Sequence, residues 1–540
     1  MRIKLTVFLL LLLVVTLSNA FSQEFNNIRL TENELNLTIE RAYSTGATNG
    51  FAGIRPFSEL DLVNAYVAAP DDYTYNYIRK DLLDIGLSKE GSSSPSFYLE
   101  PLSEVTFRVY TFSTDVPNKK SYCLENMEGN CLDKGLNAFL NVVGGGRLSR
   151  NVTFFYEGQI QAGKEDTDAI LKKAYIKLKT GSLSWELGKD SIWLGHGYHG
   201  SLLLSSNAEP FLLFKVTTEE PFRLPFFLKR LGEFQYTMFH GWLDNFNMLG
   251  QRLAWKPFSL LELGVNQTVT YYKDKGIKVW DWPHVFFSSS ENIGGQHANK
   301  YNNDQRASLD AALYMPFLNK LPYLKGGKIY AEYGGEDIYA WWQKADPTTG
   351  GHHAWRGPLG FDFLGEGFIL GLFLTSGDTD FRYEYAENYE SHPLFFDWYK
   401  FVGVDYPSKG EQWYRGIPFS YKGALMGHVM GPEAEDNYFE IKKRAGNFVF
   451  TAFYDRQRHH IYNKIDQYHI YPATPEIRQQ KGLDVLYAFK RFEIDATVIY
   501  NTYKNVNSNP DILASTKAYH ILVGQDAKEL ITGVGIKYLW

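Results

Sequence analysis

The chain ends on an alternating run. In "ELITGVGIKYLW", residues Leu530, Thr532, Val534, Ile536, Tyr538 and Trp540 stay in phase to the last position, and a period of two marks a strand whose two faces meet different surroundings. "RFEIDATVIYN" repeats the device, with Phe492, Ile494, Ala496, Val498 and Tyr500 opposing Glu493, Asp495 and Thr497. "AYIKLKTGSLSWELG" reads as a hairpin. Ala174, Ile176 and Leu178 stand against Tyr175, Lys177 and Lys179, a turn falls at Thr180-Gly181, and Leu183, Trp185 and Leu187 then oppose Ser182, Ser184 and Glu186. A large soluble β-sandwich alternates equally well, so periodicity alone leaves two architectures.

Composition separates them. Aromatic residues make up 16% of the chain, 37 Tyr, 38 Phe and 12 Trp, while charged residues stay at 21%. One dry core does not consume so many rings, whereas a transmembrane barrel places an apolar band and two aromatic girdles outside and polar groups inside. The chain has 540 residues, and single soluble cores stop growing near ~250–300. Closed barrels escape that limit. Mean hydropathy is −0.30, and beyond the first twenty residues no stretch approaches the ~18 consecutive apolar residues of a spanning helix. A membrane passage is therefore made by strands.

The start, "MRIKLTVFLLLLLVVTLSNA", has Arg2 and Lys4, an apolar run from Leu5 to Leu17 and small residues at Ser18 and Ala20. It reads as a secretory signal peptide over 1–20. The expected division is then an N-terminal periplasmic segment over 21–100 and an all-β transmembrane antiparallel barrel over 101–540, with an even count of about 16–20 strands. Within the first segment, Tyr77, Ile78, Leu82, Leu83 and Ile85 predict an amphipathic helix over 74–90, ended by Gly86 and "GSSSPS". The terminal strand resembles the assembly signal of outer-membrane barrels, which makes Trp540 part of what the barrel-assembly machinery reads. The formal charge is −6, two units more negative once Arg2 and Lys4 leave, which argues against nucleic acid as a partner. Cys123 and Cys131, the two cysteines, are bound for an oxidising compartment and form a small loop-closing disulfide or remain two thiols.

"GKDSIWLGHGYHGSLLLSSNAEP" (188–210) poses a sharper question. Ser201 with His199 has the residue types of a nucleophile and base, and His196-x2-His199 those of a metal pair. No carboxylate orienter accompanies the first pair at a diagnostic spacing, and no third ligand lies near the second. Neither catalysis, a metal nor a cofactor is expected. Gly188, Gly195, Gly197 and Gly200 suit sharp bends and close approaches, Leu202, Leu203 and Leu204 read as a resumed strand, and Asn207 and Pro210 close it.

The same stretch resembles the signature of the capsule assembly Wzi family, in which a Gly-basic-Asp start, a Trp near a Gly-Pro-Gly turn, Gly-Ser-Leu and a Ser-Asn-Asn-Ala-x-Pro exit follow in order. Here these are Gly188, Asp190, Trp193, Gly195, Gly197, Gly200, Ser201, Asn207 and Pro210, with His196 standing for Pro and Ser206 for the first Asn. "YAEYGGED" (330–337), "FRYEYAEN" (381–388) and "GHVMGPEAEDNYFEI" (427–441) resemble later landmarks, so the similarity spans about Thr74 to Trp540. It implies an 18-stranded outer-membrane barrel with a small helical part on the periplasmic side, holding capsular polysaccharide or exopolysaccharide at the cell surface. The other reading of such a barrel is a porin. Beyond the polysaccharide, the expected partner is outer-membrane lipid, and the expected state is a monomer.

Sugars stack on aromatic rings and are fixed by planar polar groups. Two Trp-rich polar stretches offer both: 279–306 with Trp280 and Trp282, and 339–358 with Trp341, Trp342, His352, His353, Trp355 and Arg356. Trp280 and Trp282, two apart and hence on one face of a strand, serve a lipid-interface girdle or a glycan. Trp355 is the foremost stacking candidate, and Arg356 suits an acidic sugar.

Overall fold

The computed structural model describes residues 26–68, 97–164, 167–244, 246–273, 276–287, 303–339, 362–390, 419–431, 434–459, 475–506 and 524–540. Eighteen antiparallel strands form a closed barrel, from Tyr98–Thr114 to Gln525–Leu539. Closure is made by the last strand, which pairs with both its predecessor and the first, for example Val534 with Ala496 on one side and with Val109 on the other. Trp540 extends this closure, its N–H donating to the Ser103 carbonyl at 3.0 Å and its ring meeting Tyr538 edge-on at 4.7 Å.

Burial runs opposite to that of a water-soluble protein. In the strand Thr167–Thr180, Ile176 and Leu178 are 44% and 43% exposed, while Lys177 and Lys179 between and after them are 2% and 1% exposed. Phe492, Ile494, Val498 and Tyr500 are likewise exposed, as are Leu530, Val534 and Ile536. A contiguous apolar exterior around a charged interior is stable only against lipid. The alternation read from the sequence is thus the wall of the barrel, apolar side out. The hairpin turns at Gly181-Ser182, one residue later than the sequence reading, because Thr180 still pairs with Leu183.

One mouth carries tight turns such as Gly446-Asn447 and Lys490-Arg491, together with the start of the first strand and the end of the last. Most of the longer connections leave from the other mouth, and several of them fold back inside. One, between Thr114 and Gly135, forms the small hairpin Ser121–Cys123 with Cys131–Asp133, joined by the Cys123–Cys131 disulfide. Tyr122, Leu124 and Leu132 pack it against Phe112, Phe139 and Ile531. Another is the 191–210 loop, against which residues 419–431 pack, the Ser205 N–H donating to the Met426 carbonyl at 2.7 Å.

The N-terminal residues also occupy the lumen. Helix α1 (Asn33–Thr45) is tied to the wall by Glu40 to Lys328 at 2.5 Å and Arg382 at 2.6 Å, and by Glu34 to Lys442 at 2.6 Å and Arg444 at 3.2 Å. Ahead of it, Arg29 meets Glu104 at 2.6 Å and Glu32 meets Lys537 at 3.1 Å. The opposite face of α1 offers Ile39, Ala42 and Tyr43 to Leu202 and Leu203 of the loop. Helix α2 (Glu59–Ala68) adds Leu62 and Ala65 to the same cluster. Sequence reading missed both helices: the charges of α1 pair with the barrel wall and blur its apolar period, and α2 spans only ten residues. The helix expected over 74–90 lies outside the described residues.

Candidate functional site

The 188–210 motif turns out of the wall and into the lumen. Gly188 and Asp190 belong to the strand Leu183–Asp190, and Asp190 accepts from Asn27 Nδ2 at 2.9 Å and meets Lys173 at 3.3 Å. Trp193 and Leu194 then pair with Arg55 and Ile54, and the Arg55 guanidinium lies 4.4 Å from the Trp193 ring centroid. Leu202, Leu203 and Leu204 do not resume a strand. They are buried in the plug, Leu204 bridging back to Leu194, because their partners are α1 and the loop itself rather than a neighbouring strand. Asn207 Nδ2 donates to the Leu425 carbonyl at 3.2 Å, and buried Pro210 leads into the next strand, Phe211–Thr218.

What holds the loop is a set of wall carboxylates. Glu332 accepts the N–H of Gly197 at 2.6 Å and of Leu202 at 3.1 Å, and lies 3.2 Å from Ser201 Oγ. Glu384 accepts the N–H groups of Tyr198 at 2.7 Å and His199 at 3.0 Å, together with the Tyr330 hydroxyl at 2.6 Å. Glu440 accepts the Tyr198 hydroxyl at 3.1 Å. Loop backbone donors that turn inward would otherwise be buried without acceptors, and a carboxylate serves two at once. Glycine is needed where this grip is closest. At Gly195 φ is +119°, and a Cβ would stand 2.1 Å from Glu332 Oε1; at Gly200 it would stand 2.3 Å from His428 Cδ2.

The two histidines differ sharply. His196 is fully buried, 3.3 Å from Asp310 and 3.4 Å from Glu262. Burial dominates and holds its pKa down to about 4, since Arg252 already neutralises those carboxylates. His199 presents Nδ1 to Asp436 at 3.0 Å and Nε2 to Glu125 at 3.2 Å. Burial opposes its charge, but Asp436 and Glu125 outweigh it and raise its pKa well above the ordinary imidazole range. Both of its nitrogens are therefore engaged away from Ser201, whose hydroxyl donates to the Leu194 carbonyl. The nucleophile–base geometry that Ser201 and His199 would require is not formed.

The expectation that His199 lacks further ligands nearby needs correction. His428 and Asp436 converge with it, all three ligand atoms lying within 4.8 Å of one another. They were missed because they come from a distant motif. In space, all four landmark motifs meet: "YAEYGGED" supplies Glu332, "FRYEYAEN" supplies Glu384, and "GHVMGPEAEDNYFEI" supplies His428, Asp436, Tyr438 and Glu440 to the 188–210 loop. Carboxylates recurring in those motifs were the available signal. Beside this cluster a lumenal cavity of about 540 Å³ reaches Tyr198 and His199.

Of the expected sugar-binding residues, Trp280 and Trp282 are not in a strand. They lie in the turn Val279–Asp281 and the short helix Trp282–Phe287, nucleated where Asp281 accepts the Lys278 N–H at 2.9 Å and Pro283 fits a first helical turn. Trp282 is buried, stacked on His240 at 5.1 Å among Leu249, Val269 and Phe286. Trp280 is 73% exposed, with Lys278 Nζ 5.1 Å from its ring. Trp341, Trp342, His352, His353, Trp355 and Arg356 lie outside the described residues; the strands on either side, Gly326–Tyr339 and Asp362–Thr375, end at the mouth of long connections.

The wall, the N-terminal segment and the inward loop together define an 18-stranded transmembrane barrel with its own chain packed into its lumen. The chain belongs to the capsule assembly protein Wzi family, whose model matches residues 115–447. Its structure is similar to that of Wzi from Escherichia coli, an outer membrane protein involved in group 1 capsule assembly and a carbohydrate-binding β-barrel, with a TM-score of 0.63 at 12% identity over 96% of this chain and 99% of that one. OpdL of Pseudomonas aeruginosa matches at a TM-score of 0.41 and 10% identity over 81% of this chain and 99% of that one. No curated protein sequence matches.

Proposed function

We propose that the protein is an outer-membrane lectin-like barrel that binds capsular polysaccharide or exopolysaccharide and anchors it at the cell surface. Membership of the capsule assembly family is the observation that carries this reading. The packing of the lumen supports it against the porin alternative, whose lumen is a water-filled channel, since here helices α1 and α2 fill the interior together with the inward loop. In this reading the glycan meets the long-connection mouth. Trp341, Trp342 and Trp355 supply stacking faces, with His352, His353 and Arg356 as polar partners and the exposed Trp280 as a further ring, while Trp282 is a packing residue. The barrel is a monomer in lipid, with the N-terminal segment 21–100 on the periplasmic side, and it has no catalytic role. Weak binding per site suffices, because a repeating polymer engages many barrels at once.

The test pairs two measurements on the purified barrel. Immobilised polymer from the producing cell should retain the parent protein and release the Trp355→Ala/Arg356→Ala variant, while planar bilayers should show only small conductance. A barrel that ignores the polymer and conducts ions freely would establish the porin reading instead.

A further inference from the structure

Two imidazoles point the same nitrogen at one carboxylate. His199 Nδ1 lies 3.0 Å from Asp436 Oδ2, and His428 Nδ1 lies 3.9 Å from the same oxygen. A tetrahedral ion with bonds of about 2.0–2.2 Å keeps its ligand atoms roughly 3.4 Å apart. The two observed separations bracket that value. On the far side each ring is backed by a second carboxylate, His199 Nε2 by Glu125 at 3.2 Å and His428 Nε2 by Glu384 at 3.8 Å, the arrangement that orients metal-binding histidines and fixes their tautomer. His428 Nδ1 accepts the Met430 N–H at 3.2 Å, so an ion bound there takes over that lone pair from the amide.

Two further observations point to a cation. Asp436 is buried and in side-chain hydrogen-bond contact with the equally buried Asp455, so two carboxylates crowd one place. The cavity beside His199 gives an approach, and carboxylates outnumber cationic side chains in its lining by eleven to seven. The neighbouring group Glu125–His199–Asp455 is a weaker place for an ion, because Arg478 already bridges Glu125 and Asp455.

We propose that His199, His428 and Asp436 hold one divalent ion of the zinc class. It joins the inward loop, the segment before the strand Ala434–Ala445 and the barrel wall at a single point, and so acts as a staple for the packed lumen. The competing occupant is a proton, which makes His199 an imidazolium paired with Asp436.

The experiment uses the full barrel, purified from membranes without a metal-affinity step. Elemental analysis should find about one equivalent of metal per chain. After chelation, Co(II) titration should give the visible absorption of a tetrahedral centre, and Zn(II) should restore the thermal midpoint. His428→Ala and Asp436→Asn should lose the ion, and Glu493→Gln, which lines the cavity elsewhere, should keep it. If no metal copurifies and the chelated wild-type barrel neither binds Co(II) nor gains stability from Zn(II), the proposal is overturned and the proton is the occupant. Retention of a full equivalent by His428→Ala overturns it as well.

Discussion

Removing the Glu384 carboxylate should loosen the packed lumen more than any surface change. In the parent it is buried and accepts from the Tyr198 N–H at 2.7 Å, the His199 N–H at 3.0 Å and the Tyr330 hydroxyl at 2.6 Å. A hydrogen bond to a charged group contributes about 1.5–3 kcal/mol, and the donor left behind keeps its desolvation cost. Three such bonds sum to at least roughly 4.5 kcal/mol. Shared partners and refilling by water make the loss less than additive, so Glu384→Ala is expected to cost about 3–5 kcal/mol. Glu384→Gln, with one acceptor oxygen instead of two, should lose about half as much. Tryptophan fluorescence during urea unfolding in detergent micelles reads the stability, and planar-bilayer recording reads the consequence for the lumen. Stepwise conductance should rise in the alanine variant as residues 191–210 leave their seat. If Glu384→Ala unfolds within about 1 kcal/mol of the parent and stays equally tight to ions, the carboxylate does not hold the loop.

Acid should weaken the barrel through His196. Its folded pKa of about 4 lies below the unfolded value of about 6.5, so its contribution is complete above that value and is lost as pH falls toward 4. The decline is roughly 3 kcal/mol by linkage, and His196→Asn should abolish it; an unchanged acid profile in that variant would contradict the assignment. Lipid exposure of the wall predicts that Val534→Arg blocks insertion at a cost of about 2–4 kcal/mol near the bilayer midplane, measured as outer-membrane yield. Deleting Trp540, which follows the closing strand and donates to the Ser103 carbonyl, should slow assembly, seen as accumulation of the form that does not shift on heating before electrophoresis.

The wall was legible in the sequence because a strand between lipid and a polar lumen has a rigid period of two, as at Ile176–Lys179 and Phe492–Tyr500. The plug was not. Leu202–Leu204 look like a strand to any local reading, yet Leu202 and Leu203 pack against α1, whose Glu34, Glu40 and Arg41 hide its own amphipathicity by pairing with the wall, and Leu204 packs against the loop itself. Likewise the surroundings of His199 are contributed by Glu125, Glu384, His428 and Asp436, residues whose proximity exists only after the barrel closes. Trp280 and Trp282 illustrate the converse error: spacing of two is a strand signal only when no proline and acidic cap favour a helical turn. The resemblance of the four motifs identified the family, but it did not reveal that they touch.

The central claim concerns retention of polymer at the surface. In a strain lacking this gene, the total polysaccharide produced should be unchanged while the cell-attached fraction falls and the polymer appears in the medium. Complementation with the parent gene should restore attachment, and complementation with Trp355→Ala/Arg356→Ala should not, although that barrel reaches the outer membrane. A deletion strain that keeps all of its polymer attached would contradict the account.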